Sequence, residues 1–226
     1  MVYEFNPSDS SWTKKNDFPG AERYDGGVAF SIGSKGYVIG GGKMDWSNDN
    51  YSCLNDVWEY DPQSDTWVQK NDFPGIGRRE AISFSMNGKG YVLTGKYSYK
   101  DEVVIGAIRY LNDAWEYDPG TDTWTQLPDL PGPARVAAAG GGSNNLIYVV
   151  GGWGADHELG DYLMFDLETQ QWKELKSMNG NLRYRSLGFS YDGAFYITAG
   201  TKYGGVPVHN SLNHSLKHLI TKAQRH

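Results

Sequence analysis

Between Leu54 and Gly75 the chain reads LNDVWEYDPQSDTWVQKNDFPG, and between Leu111 and Gly132 it reads LNDAWEYDPGTDTWTQLPDLPG. Two weaker copies keep the same frame: VYEFNPSDSSWTKKNDFPG near the N-terminus and DYLMFDLETQQWKELKSMNG from Asp161. In each copy an Asp or Asn precedes a Trp by six residues: Asn6 and Trp12, Asp61 and Trp67, Asp118 and Trp124, Asp166 and Trp172. A period of about 50 residues means an array of one supersecondary unit, which buries its faces only against its neighbours.

Each copy reads as a hairpin. In Val57-Trp58-Glu59-Tyr60 the aromatic rings fall on one face and Val57 and Glu59 on the other, the period of a strand. Asp61-Pro62 then opens a turn, because proline presets φ and the carboxylate can accept backbone N–H groups two residues on. A second recurring strand lies upstream. Gly36-Tyr37-Val38-Ile39-Gly40-Gly41 is matched by Gly90 to Gly95, Ile147 to Gly152 and Phe195 to Gly200. The unit is thus four strands: a (small residues), b (Tyr-Val-Ile, then Gly), c (Trp-x-Tyr-Asp) and d (Trp first). Glycine after strand b fits a site where backbone passes too closely for a Cβ.

With 226 residues, 39% hydrophobic, the chain can bury a core as one domain or one array. Helix-period runs are nearly absent, so the class is all-β. A formal net charge of −6 argues against a general nucleic-acid partner, which needs a basic stripe. No long apolar run exists to span a membrane. The start, MVYEFNPSDS, lacks the features of a signal peptide; the chain as given reads as soluble and cytoplasmic, or extracellular or periplasmic if it is a fragment of a longer precursor. Cys53 stands alone, so no internal disulfide forms.

The glycine pairs, the Asn-Asp-x-Trp-x-Tyr-Asp-Pro strand and the Trp six residues later resemble kelch repeats, in register from residue 2 to about 200. The resemblance implies a kelch-type β-propeller of the galactose oxidase-like superfamily, with four-stranded antiparallel blades around a channel. Repeats at about 20–70, 75–127, 132–175 and 180–200 plus 2–15 give about four blades over 1–205. The expected closure pairs Val2 to Phe5 beside Phe195 to Ala199, so that the N-terminal strands complete the last blade. Otherwise the chain is part of a larger propeller, and a partner chain covers its exposed edge. The tail, 206–226, reads as a short helix or a loose segment.

Aligning the repeats brings out one constellation. The linker from strand d to strand a reads Pro-Gly-x-x-Arg at Pro19 to Arg23, Pro74 to Arg78 and Pro131 to Arg135, and Arg183 keeps the spacing without the proline. These linkers should emerge on the face that also carries the long b–c loops, with Trp46, Tyr97 and Trp153 among their aromatics. The candidate ligand-binding set is therefore Arg23, Arg78, Arg135, Arg183, Trp46, Tyr97 and Trp153, suited to an acidic peptide, protein loop or glycan. The competing structural reading pairs each Arg with a nearby acid such as Glu22, Asp25 or Glu80. No catalytic set, cofactor or metal site is read from the residues. The resemblance leaves a second function open, a carbohydrate-active enzyme such as a sialic acid mutarotase or a galactose oxidase-like enzyme.

Overall fold

A computed structural model describes residues 1–45, 47, 50–98, 108–175, 184–202 and 206–207. Of the expected site residues, Trp46 and Arg183 lie outside this set, as does nearly all of the tail.

A hairpin of β1 (Val2–Asn6) and β2 (Ser11–Lys15) opens the chain. β3 (Val28–Ile32) and β4 (Lys35–Ile39) follow, then a small hairpin of β5 (Gly42–Asp45) and β6 (Asn50–Cys53), then β7 (Val57–Asp61) and β8 (Thr66–Lys70). The sheet order β3-β4-β7-β8 is one blade, with the small hairpin rising between its b and c strands. The plan repeats in β9 (Ile82–Met86), β10 (Lys89–Leu93), the hairpin β11 (Lys96–Ser98) and β12 (Ile108–Tyr110), then β13 (Ala114–Asp118) and β14 (Thr123–Leu127). In the third blade, β15 (Ala139–Ser143), β16 (Leu146–Trp153), β17 (Glu158–Asp166) and β18 (Gln171–Leu175), the raised hairpin is continuous with its strands. β19 (Tyr184–Tyr191) and β20 (Ala194–Lys202) supply strands a and b of a further unit, and β21 (Val206–Pro207) pairs with Thr201 and Lys202. The class is all-β with antiparallel four-stranded blades, as the repeat demands.

The glycine pairs behave as their spacing predicts. Gly41, Gly95, Gly152 and Gly200 all have φ near +103°, the left-handed side open to glycine. A Cβ on Gly95 would stand 2.9 Å from the Arg79 carbonyl oxygen, and one on Gly152 2.8 Å from that of Val136. These glycines are where each strand b touches the linker entering its own unit, while the Gly41 and Gly95 N–H groups bond the linker entering the next.

Apolar burial is concentrated between blades. Phe30, Tyr37, Ile39 and Val57 of the first blade meet Phe73, Val92 and Tyr117, and a second cluster joins Tyr91, Leu93 and Ala114 to Ile147, Val149, Leu163 and Phe165. The repeating Trp residues sit at the margin of these clusters. Trp67 and Trp124 are half-buried rather than largely buried, because strand d is the outermost strand, and Phe18 and Phe73 meet them edge-on at 5.0 Å.

One expectation is corrected. β1 pairs with β2, and β20 pairs with β19 and β21, so Val2 to Phe5 does not close the sheet of Phe195 to Ala199. The N-terminal hairpin is held instead by the first blade: the Asn16 amide N–H donates to the Asp65 carboxylate at 3.0 Å, and Phe18 lies edge-on to Trp58. That places it at the opposite end of the array from β19. Of the expected tail 206–226 only Val206–Pro207 is described, as a short strand on β20, and the rest lies outside the described residues.

Candidate hairpin face

The linkers and the raised hairpins share one face, as the repeat alignment requires. Isolated antiparallel bridges join Asp25 to Gly42, Arg79 to Lys96 and Val136 to Trp153, each linking the start of a strand a to its hairpin.

Among the described residues, the repeat arginines Arg23, Arg78 and Arg135 do not form a ring open to ligand. Arg78 and Arg135 are among the most deeply buried side chains of the protein, at 2% and 0% exposure. Arg78 Nη1 and Nη2 donate to the Asp113 carboxylate at 2.6 and 2.7 Å, and Nη1 also donates to the Thr94 carbonyl at 2.9 Å. Arg135 repeats this fork on Asp161 at 2.6 and 2.7 Å, with the Gly151 carbonyl at 3.1 Å. Arg23 reaches Asp56 at 2.6 Å and the Gly40 carbonyl at 2.7 Å. Phe18 and Phe73 lie beneath the guanidinium groups of Arg23 and Arg78 at 4.5 and 4.6 Å from the ring centres.

The partner of Arg23 and of Arg78 is therefore the Asp just before strand c, and that of Arg135 the matching Asp161 within β17, and not Glu22, Asp25 or Glu80. The backbone of each arginine faces the other way: the Arg78 carbonyl accepts from Gly41 N–H at 2.8 Å and that of Arg135 from Gly95 N–H at 2.9 Å. Pro-Gly-x-x-Arg is a rivet, with its backbone on the preceding blade and its side chain in its own. Burial pushes the Asp113 carboxyl up, but hydrogen bonds and charge from Arg78, with the Trp115 indole N–H, outweigh this and hold it below the usual carboxylate range.

The other expected residues stay at the face. Tyr97, on β11 opposite Arg109, is half-buried; Trp153 ends β16 and meets Tyr184 edge-on at 5.2 Å. A cluster not expected from sequence ties the first two hairpins together. The Tyr51 hydroxyl donates to Asp25 at 2.6 Å, Arg79 pairs with the same carboxylate, and Arg79 Nη2 donates to Ser98 Oγ at 3.2 Å. The Arg79 guanidinium stacks 4.8 Å over the Tyr51 ring. Burial, then the Asp25 hydrogen bond, push the Tyr51 hydroxyl far above its ordinary pKa, and burial raises the Cys53 thiol. The signal was present in the alternation of Tyr51 and Cys53, which puts both on one side of β6, but their partner Arg79 follows the repeat arginine and was obscured by it.

These contacts decide which charges the face offers. Asp25 is neutralised by Arg79, and Glu80 by Lys96 Nζ at 2.7 Å. Lys43 on β5, Arg109 on β12 and Arg185 at the start of β19 are exposed, with Arg185 lying over the Tyr184 ring at 5.7 Å, and so are Asp156 and its neighbour His157 at the tip of the third hairpin. Among the described residues no group of three His, Cys, Asp or Glu side chains is placed to hold a metal ion, and no helix is long and apolar enough to cross a membrane.

Comparison with known proteins gives a consistent family. The KLHDC2/KLHL20/DRC7 Kelch-repeats domain matches residues 1–200. The chain is 25% identical over 185 residues to the Kelch-like protein terF of Aspergillus terreus, covering 78% of this chain and 39% of that protein. It is 32% identical over 130 residues to the N-acetylneuraminate epimerase of Pasteurella multocida, covering 55% of this chain and 33% of the epimerase. A solved structure described as "Structure of YjhT" superimposes with a TM-score of 0.74 at 19% identity, over 90% of this chain and 66% of that one, and shares its fold. The chain thus spans well under half the length of these curated relatives.

Proposed function

We propose, on the premise that this chain belongs to the kelch-repeat family, that it is an interaction module whose hairpin face captures an acidic peptide, protein loop or glycan. The observation that supports this most is the sorting of charge at that face. On the first two hairpins the acids Asp25 and Glu80 are internally paired, whereas Arg109 and Arg185 are exposed beside Tyr97 and Tyr184 and Lys43 is exposed on β5; on the third hairpin Asp156 is exposed against His157. Guanidinium groups pair bidentately with carboxylates, and aromatic rings give contact area at low entropic cost. The buried Arg23, Arg78 and Arg135 act behind the face, as the rivets that hold the hairpins at fixed spacing. A rigid scaffold presenting loops on one face is the usual arrangement for binding.

The test is a peptide and glycan array probed at low and at high salt. Acidic ligands should be retained at low salt and released as screening rises, and the Arg109→Ala/Arg185→Ala double variant should lose them with its fold intact. Retention that ignores both salt and these substitutions would refute the reading. A second reading follows from the N-acetylneuraminate epimerase relatives: the same face would hold an anionic sugar and catalyse its anomer exchange. Magnetisation-transfer NMR on N-acetylneuraminate decides between them, since a module leaves the exchange rate at its uncatalysed value.

A further inference from the structure

We propose that the third blade binds an indole ring carrying a cationic amine, in a cavity that tryptophan side chains fill in the first two blades. The site uses other residues than the capture of acidic ligands, and it stands or falls without that reading.

Trp58 and Trp115 hold one repeat position. Each lies opposite strand b, at Val38 or Val92, and opposite strand d, at Gln69 or Gln126. Each indole packs edge-on against the linker entering its own blade, Trp58 on Phe18 at 5.6 Å and Trp115 on Phe73 at 5.4 Å. A Cβ on Gly20 of that linker would lie 2.8 Å from the Trp58 indole nitrogen. Each indole N–H also donates to the aspartate that holds the repeat arginine, Asp56 at 2.7 Å and Asp113 at 2.8 Å.

In the third blade three of these residues change. Leu163, opposite Val149 and Glu174, stands in place of the Trp; Leu130 replaces the Phe and Glu174 the Gln. A Cβ on Gly132 of the linker would meet nothing nearer than Arg135 Nη2 at 3.9 Å. The result is a cavity of about 340 Å³, whose wall includes Pro131, Leu159, Asp161 and Leu163 together with Glu158 and Glu174. That volume falls in the range of small-molecule sites, roughly 300–1,000 Å³.

The cavity keeps what an indole requires. Asp161 accepts the Arg135 fork at 2.6 and 2.7 Å, and among the described residues no third donor takes the part that Trp115 plays on Asp113. An N–H approaching from the cavity supplies it. Proline and leucine walls suit the faces of the ring. Charge then selects what the ring carries. Glu158 Oε1 is buried without a hydrogen-bond partner, which is costly for a carboxylate, and Glu174 stands exposed in the same wall. Arg135 offsets Asp161, and His157, also in the wall, is engaged by Asp156. Glu158 and Glu174 are thus left to face a cation, and an ammonium on a short linker from the ring provides the donors. A free indolylalkylamine and the N-terminal tryptophan of a peptide share this chemistry.

The test is titration calorimetry of the whole chain with tryptamine, with the peptide amide Trp-Gly-Gly, and with indole-3-acetate, which keeps the ring and reverses the charge. Tryptamine or the peptide should bind about tenfold more tightly than indole-3-acetate, or better, and the tighter of the two identifies the source. Agmatine, a planar cation without the ring, should not displace them. Leu163→Trp, which restores the side chain of the other blades, should abolish the binding and raise the melting temperature. Glu158→Gln, which leaves the apolar walls alone, should weaken tryptamine about tenfold and leave indole-3-acetate no weaker. Neither amine binding the wild type would overturn the proposal. So would tryptamine binding unchanged by Leu163→Trp or by Glu158→Gln, or indole-3-acetate or agmatine binding as tightly as tryptamine.

Discussion

Arg78 shows what a single repeat residue does here. Its guanidinium is buried against Asp113, Thr94 and Phe73, so its charge serves the fold. Removing it leaves the Asp113 carboxylate uncompensated, and Arg78→Met should cost about 3–5 kcal/mol in denaturant unfolding. The double variant Arg78→Met/Asp113→Leu should recover most of that loss, since both charges then leave together; a neutral single variant would contradict the rivet. The same pair sets an acid limit. Asp113 and Glu59 are both held below their ordinary range, Asp113 by Arg78 and Glu59 by Lys35 and Tyr37, in each case against the upward push of burial. A depressed carboxylate contributes stability that is complete above its unfolded value and disappears as pH falls through the folded one. Melting temperature should therefore hold near neutrality and drop below about pH 4. In the double variant the Asp113 part of that drop should vanish.

Successive elements are joined by a small polar staple. Asn16 and Asn71 end the d strands of consecutive units. The Asn71 side-chain amide donates to the Asp122 carbonyl at 2.8 Å, and its backbone N–H to the Asp122 carboxylate at 3.2 Å, just as Asn16 does on Asp65. Asn71→Ala should cost about 1–3 kcal/mol, the penalty of an unmatched polar contact, measured by chemical denaturation against Gln69→Ala at an exposed position of β8. Equal effects would count against the staple. These elements were largely legible in the sequence. The c–d hairpins followed from Asp61-to-Trp67 spacing, and the glycine pairs from their place after strand b, because turn chemistry and Cβ clearance are local. The arginine partners were not legible: Asp113 lies 35 residues from Arg78, while Asp25 and Glu80 are nearer repeat arginines in sequence and turn out to serve Arg79 and Lys96. Nor was the strand content of the b–c segments, whose polar and aromatic residues fit loops as well as the raised hairpins they form.

At the scale of the molecule, blades in series share their burial, so each depends on its neighbours and the array behaves nearly one-dimensionally. The second blade, covered on both sides by the two apolar clusters, should exchange its amide hydrogens most slowly, and β1–β2 and β19–β20 most quickly. The failed closure by β1 was beyond the sequence for the same reason: which strand meets which edge is decided by the curvature of the whole array. The proposed function takes the face with raised hairpins, and not the short c–d turns opposite, as the contact surface. The most direct test is hydrogen exchange with and without an oligoglutamate peptide at low salt. Protection should rise on β5–β6, on β11–β12 and around Tyr184 and Arg185, and should fade as salt is added. Protection confined to the c–d turns at Asp61 to Asp65 and Asp118 to Asp122, or absent from the hairpins, would contradict the account.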